Sequence, residues 1–271
     1  MPELPEIETL RRGLAPQLTG RVIRAAHIYN ANLRWKIPPK ISTLVKNATI
    51  KRVSRRAKYL MFNLDTGTLI FHLGMSGSLR IFDNGTARAK HDHFELQFQD
   101  NQLLRFNDAR RFGAILWTDH NPESHPLLAK LGLEPLSRQC NAKWFYQQLL
   151  KRNTSIKQLL MNGHVIAGIG NIYANESLFL AGIRPQTSAK DLDFESSRKL
   201  VKALRHTLRL AIKAGGSSIR DFVDSAGKAG YFQQHYAVYG RTGEACLRCG
   251  GAIKLMRQGQ RSSFYCARCQ A

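Results

Sequence analysis

Two Cys-x-x-Cys pairs near the C-terminus constrain this chain more than any other stretch. Cys246/Cys249 and Cys266/Cys269 are separated by sixteen residues, a spacing that suits a zinc ribbon. Two thiolates two residues apart grip one tetrahedral ion from a tight knuckle, and Gly250-Gly251 after the first pair suits that turn. Four cysteines close the shell, so one structural Zn2+ per chain is expected. Disulfides are the competing reading, and a chain kept in a reducing compartment disfavours them. Cys140 lies outside this pattern and reads as an inert thiol.

A ribbon occupies little of the 271 residues, and the whole chain is strongly basic. Lys and Arg number 41 against 19 Asp and Glu, a formal net charge of +22. Such a chain seeks polyanions, nucleic acid first, because each phosphate attracts a Lys or Arg and releases counterions on binding. An anionic membrane surface is the rival partner. No apolar run approaches the ~18 residues of a membrane span, and the N-terminus lacks the basic and apolar regions of a signal peptide. A cytoplasmic protein with no membrane partner is therefore expected.

Ile7, Leu10, Leu14 and Leu18 recur at helical spacing after Pro5, and Pro16 with Gly20 marks the expected helix end. From Arg21 to Trp117 the pattern turns to period two. Strands are expected at Arg21–Tyr29, Ile50–Val53, Lys58–Leu64, Thr68–Leu73, Leu79–Phe82, Phe94–Phe98, Leu103–Phe106 and Ala114–Trp117, which argues for a β-sandwich or barrel. The proline-bearing stretch after Asp119 reads as a connection. Helices follow: one capped by Asn141 and running to Leu150, one from Thr154 or Ser155 to Met161, one capped by Asn171 and stopped by Gly182, and a long one from Phe194 to Ala214. The turn Asn162–Gly170 joins two of them as a lengthened helix-turn-helix. The expected class is α+β in two domains: an N-terminal helix plus β-sandwich at 1–130, a linker at 131–137, a helical domain at 138–235 and a zinc finger at 236–271.

Three places suggest chemistry, each with a structural alternative. Removal of Met1 would leave Pro2 as a free secondary amine able to form a Schiff base with a sugar carbon, with Glu3 beside it to move protons. Equally, Pro2, Pro5, Glu3 and Glu6 read as helix-start punctuation. Met75, set among glycines, and Phe112, set behind Arg110-Arg111, read either as core residues or as wedges for a base stack. Asn171 reads either as a phosphate contact or as a cap.

Met1-Pro2-Glu3-Leu4-Pro5-Glu6, Lys58-Tyr59-Leu60, His72–Gly77, Asp108–Gly113, Gly170–Glu176 and the four cysteines, in this order and spacing, resemble bacterial formamidopyrimidine-DNA glycosylase from Met1 to the ribbon. The resemblance implies a bifunctional base-excision repair enzyme. It would flip oxidised purines such as 8-oxoguanine and formamidopyrimidines out of duplex DNA, excise them and cleave the abasic strand by β,δ-elimination. Pro2 would be the Schiff-base nucleophile and Glu3 the proton donor and acceptor. Lys58 would contact phosphate and donate the proton in β-elimination, and Arg261 would do the same in δ-elimination. Phosphate contacts fall to His91, Asn171 and Tyr239. Met75, Arg110 and Phe112 would fill the emptied stack, and Lys157 would be linked to the lesion. Glu6 and Glu176 would support the site, and Ser217, Ile219, Arg220, Asp221 and Phe222 would cover the flipped base. The resemblance implies no catalytic metal or organic cofactor, action as a monomer, a bacterial cytoplasm, and association with the nucleoid through DNA. The sister family, endonuclease VIII, shares the proline but starts Met-Pro-Glu-Gly, so Leu4 argues against it. A non-catalytic architectural DNA-binding protein would explain the charge and the ribbon without needing the proline amine.

Overall fold

In the computed structural model, which describes residues 1–217 and 232–271, the apolar stripe of the N-terminal segment becomes helix α1, Leu4–Leu18. Leu4, Ile7, Leu10, Leu14 and Leu18 are each at most 1% exposed, so one face of α1 is wholly desolvated. The helix passes through Pro16 and ends at Leu18, between the Pro16 and Gly20 that mark its expected end. Proline in the last turn removes only one amide, and the Thr19 N–H still donates to the Ala15 carbonyl at 3.1 Å.

The chain forms two units, the first made of Met1–Ala129 with the segment that starts at Ala214, the second of Lys130–Lys213 and Phe232–Ala271. In the first unit β1 (Ile23–Ile28) leads to a one-turn helix α2 (Ile41–Leu44) that periodicity had not indicated. Seven strands follow: β2 (Ile50–Arg56), β3 (Tyr59–Leu64), β4 (Thr68–His72), β5 (Ser78–Asp83), β6 (Asp92–Phe98), β7 (Gln102–Asn107) and β8 (Ala114–Thr118). With β1 they make two antiparallel four-stranded sheets, ordered β1-β6-β7-β5 and β2-β3-β4-β8. The inner faces share one core. Phe71 of the second sheet lies 6.1 Å from Phe94 and 6.3 Å from Phe106 of the first, ring centre to ring centre, and 5.0 Å from Phe62 of its own. The expected β-sandwich is therefore present, and α1 packs its leucines into the same core.

The second unit is helical. α3 (Ala142–Leu150) starts where Asn141 accepts from the Trp144 amide at 3.0 Å, and α4 (Ile156–Leu160) starts at Ser155. α5 (Asn171–Ala181) ends at Gly182, and α6 spans Phe194–Lys213. The α5 cap is Gly170, and Asn171 is the first helical residue, one position inside the expected cap. That shift frees the Asn171 side chain from capping. The ribbon hairpin is β9 (Ile253–Gln258) and β10 (Arg261–Cys266), joined by Gly259-Gln260. Among the described residues no helix is long and apolar enough to cross a membrane.

Glu8 fastens α1 to the second sheet. Its carboxylate meets Arg11 at 2.8 Å and Arg12 at 2.9 Å on the helix, and Arg55 of β2 at 3.3 Å. Burial pushes this carboxyl up, but the hydrogen bonds from Arg11 and Arg12 and the charges of Arg11 and Arg55 outweigh it and hold it at about 2, below the ordinary 4.5. A depressed folded-state value means stability that is complete above the unfolded value and lost as pH falls toward 2. Glu8→Gln is expected to lower the urea midpoint at neutral pH, with a difference from wild type that shrinks between pH 4.5 and 2. A pH-independent difference would count against this account.

Candidate nucleic-acid interface

The first unit carries three candidate features. At the start of α1, Pro2 is buried and Glu3, the N-cap, is 3% exposed. With Met1 attached the Pro2 nitrogen is an amide. The Glu3 amide donates to Glu6 Oε2 at 2.8 Å, and Glu3 and Glu6 close a capping box. The other oxygen, Glu6 Oε1, accepts from the Ser217 amide at 2.8 Å. Glu6 itself is fully buried. This contact brings the returning chain to the head of α1. Gly216 makes the approach possible, because its φ is +81° and a Cβ there would lie 3.1 Å from Glu6 Oε1. Ile219, Arg220, Asp221 and Phe222, expected to cover the base, lie outside the described residues.

The second feature is the pair of loops that carry Met75, Arg110 and Phe112. Phe112 is 44% exposed, Met75 half-buried, and the Arg110 guanidinium sits 4.9 Å over the Phe112 ring. Holding these loops is Asp108, fully buried and given no role by the sequence reading. Its Oδ1 accepts from Ser76 Oγ at 2.6 Å, its Oδ2 from the Gly113 amide at 2.7 Å, and Ser76 Oγ accepts from the Arg110 amide at 3.1 Å. The Asp108 carbonyl meets His93 Nε2 at 2.8 Å, and its amide donates to the His91 carbonyl at 3.0 Å. Gly74, at φ +62°, lets the first loop lie directly on the Phe112 backbone, where any Cβ would collide. One residue thus couples both loops through its carboxylate and the His91 strand end through its backbone. The only hint in the sequence was an Asp at a tight turn.

The third is Lys58, half-buried in the turn between β2 and β3 beside Ala57, whose φ is +51°. Its charge reaches His72, whose ring lies 4.9 Å from that of Tyr59 at a tilt of 47°. Burial, with Lys58 and then Arg34 adding repulsion, pushes His72 down to about 4. His72 is therefore neutral near pH 7.

In the second unit Asn171 opens α5 at the positive end of the helix dipole, where its Oδ1 accepts from Asn175 Nδ2 at 3.4 Å. Tyr239 packs between Tyr236 at 5.5 Å and Phe264 at 5.1 Å. Its backbone is held by Glu176, which accepts from the Ala237, Val238 and Tyr239 amides at 2.9, 3.0 and 2.8 Å. Burial pushes the Glu176 carboxyl up, and those three amides and Arg241 oppose it. Lys157 is 1% exposed and donates to the Ser262 carbonyl at 2.6 Å and to Ser263 Oγ at 2.7 Å, next to the exposed Arg261. It tethers the hairpin tip to α4.

The four ribbon sulfurs lie within 4.8 Å of one another, with Cys246–Cys269 at 3.9 Å and Cys249–Cys266 at 3.4 Å. A tetrahedral ion with ~2.3 Å bonds separates its sulfurs by about 3.8 Å, whereas a disulfide would need ~2.05 Å. The site fits zinc. Chelation is expected to unfold the ribbon and weaken duplex binding, read by anisotropy of a labelled duplex; unchanged binding after metal loss would remove the hairpin from the interface. Asp108→Ala orphans buried donors worth roughly 1–3 kcal/mol each. Both it and Met75→Ala are expected to reduce selective capture of a lesion duplex, with undamaged DNA bound nearly as before, and equal loss on both duplexes would contradict the coupling.

Comparison with known proteins agrees along the whole chain. Residues 1–115 match the model of the formamidopyrimidine-DNA glycosylase N-terminal domain, 131–223 that of the formamidopyrimidine-DNA glycosylase H2TH domain, and 243–271 a zinc finger found in FPG and IleRS. The formamidopyrimidine-DNA glycosylase of Laribacter hongkongensis is 50% identical over 271 residues, and that of Neisseria meningitidis 47% over 274, each covering 100% of both chains. The MutM (Fpg) crystal structure from Thermus thermophilus superposes with a TM-score of 0.89 at 35% identity, covering 99% of this chain and 98% of that one. A Lactococcus lactis Fpg complex with abasic-site DNA gives 0.90 at 35%, covering 99% of each chain. The α+β class, the sandwich, the helical domain and the cysteine cluster expected from the sequence are those of these proteins, and the chain belongs to the formamidopyrimidine-DNA glycosylase family.

Proposed function

We propose that this protein flips oxidised purines out of duplex DNA, excises them through an imine on Pro2, and cleaves the resulting abasic strand by β,δ-elimination. Family membership makes it a glycosylase and lyase of base-excision repair; the oxidised-purine substrate and the covalent route are this further reading. The observation that carries it is the head of α1, where Pro2 and Glu3 are set by a buried Glu6 that also grips the chain at Ser217. An end built only to start a helix needs no such second anchor. Solved complexes of Lactococcus lactis Fpg with Fapy-dG DNA and with abasic-site DNA support the substrate class.

With Met1 removed, the Pro2 nitrogen attacks C1′ of the deoxyribose, the C–N bond to the base breaks, and Glu3 protonates the ring oxygen as the sugar opens. The iminium acidifies C2′. Loss of that proton expels the 3′ phosphate, with Lys58 as the proton donor, and the second elimination expels the 5′ phosphate with Arg261 in that role. Asn171, His91 and Tyr239 hold phosphates, while Met75, Arg110 and Phe112 occupy the vacated stack and repay part of the few kcal/mol that flipping costs. The protein acts as a monomer.

Strand products from a duplex with one 8-oxoguanine opposite cytosine test this reading. Wild type should leave phosphates on both sides of the gap, Arg261→Ala should accumulate the β-elimination product, and Glu3→Gln should slow excision roughly 10²–10⁴-fold. Excision at the wild-type rate by protein whose Pro2 nitrogen is acylated would refute the nucleophile.

A further inference from the structure

The outer face of α6 carries a stripe that the DNA chemistry does not use. Lys199, Lys202, His206, Arg209 and Lys213 recur at helical spacing, and all are exposed. Leu210, 37% exposed, lies in the same stripe, with Leu180 of α5 at 39% and Leu247 of the first cysteine knuckle at 71% in the adjoining surface. The knuckle is fixed there by Arg248, which donates to the Phe179 and Leu180 carbonyls at 3.3 and 3.4 Å and lies 4.5 Å over the Phe179 ring. Three hollows follow the stripe: about 350 Å³ beside Leu180, about 250 Å³ between Leu210 and Leu247, and about 370 Å³ toward Lys213.

Within the second unit this face lies away from Asn171 and Arg261, a placement that rests on the DNA contacts proposed for those two residues. Asn171 opens α5, and Leu180 lies roughly 14 Å along the same helix. Arg261 begins β10 at the hairpin tip, and the cysteine knuckles lie at the other end, roughly 17 Å away. A phosphate backbone would use the cations but not three leucines around hollows. A bilayer would take protruding apolar side chains, and these leucines border concavities. We propose that the face docks an acidic, leucine-bearing segment of a partner protein, its carboxylates on the α6 cations and its apolar side chains in the hollows between Leu180, Leu210 and Leu247.

The probe is a labelled acidic peptide of about fourteen residues with three leucines on one helical face, added to the protein saturated with duplex DNA. Binding is expected in the presence of the duplex, and a peptide with serines for the leucines should bind at least ~10-fold more weakly. The double variant Lys202→Glu, Arg209→Glu and the single variant Leu210→Ser should each lose ~10-fold or more in peptide affinity while keeping wild-type affinity for the duplex. Displacement of the peptide by duplex, equal binding of the serine peptide, retained affinity in both variants, or capture of anionic vesicles with no peptide binding would each overturn the proposal. Peptide affinity is read without any excision step, so failure of the glycosylase reading would show separately.

Discussion

A fully buried carboxylate with a backbone donor on each oxygen is the constraint on which the reactive end of this protein depends. Glu6 accepts from the Glu3 amide and from the Ser217 amide, so the head of α1 and a segment 211 residues later share one anchor. A buried charge without such donors would cost several kcal/mol, so the two contacts are mutually enforcing: loss of either leaves the carboxylate under-solvated. Gly216 is part of the device, because its φ of +81° disfavours a side chain and a Cβ there would sit 3.1 Å from Glu6 Oε1.

The same arrangement recurs wherever an irregular segment has to be held still. Asp108 joins two loops through Ser76 and the Gly113 amide, Glu176 gathers three successive amides before the ribbon, and Lys157 ties the hairpin tip to α4. In each case an ionisable group is desolvated and saturated by partners from a distant stretch. The sandwich and the helices supply rigid floors. These buried groups fix the exposed side chains, Phe112, Arg110 and Arg261 among them, that project beyond those floors.

What was legible in the sequence was local. The α1 stripe, the alternation of β6, the Asn141 cap, the Gly182 stop and the cysteine spacing each depend on residues a few positions apart. One small displacement came from competition at an element end, where Gly170 takes the cap expected of Asn171. The tethers were invisible for a physical reason. Glu6–Ser217, Asp108–Ser76, Glu176–Tyr239 and Lys157–Ser263 span from 32 to 211 residues, and in two of the four, at Ser217 and Tyr239, the partner is a backbone amide that carries no sequence signature. Lys157 had been linked to the lesion by resemblance, and the structure gives it bonds to the ribbon hairpin.

The central claim is that the N-terminal amine of processed Pro2 is the group that bonds to the sugar. Borohydride reduction during turnover, followed by peptide mapping of the trapped complex by mass spectrometry, tests it most directly, because reduction freezes the adduct where it forms. The account predicts the sugar mass on the N-terminal peptide, on the Pro2 nitrogen, in protein lacking Met1. An adduct on a lysine such as Lys58, or no adduct in protein with a confirmed free Pro2 and full excision activity, would contradict it.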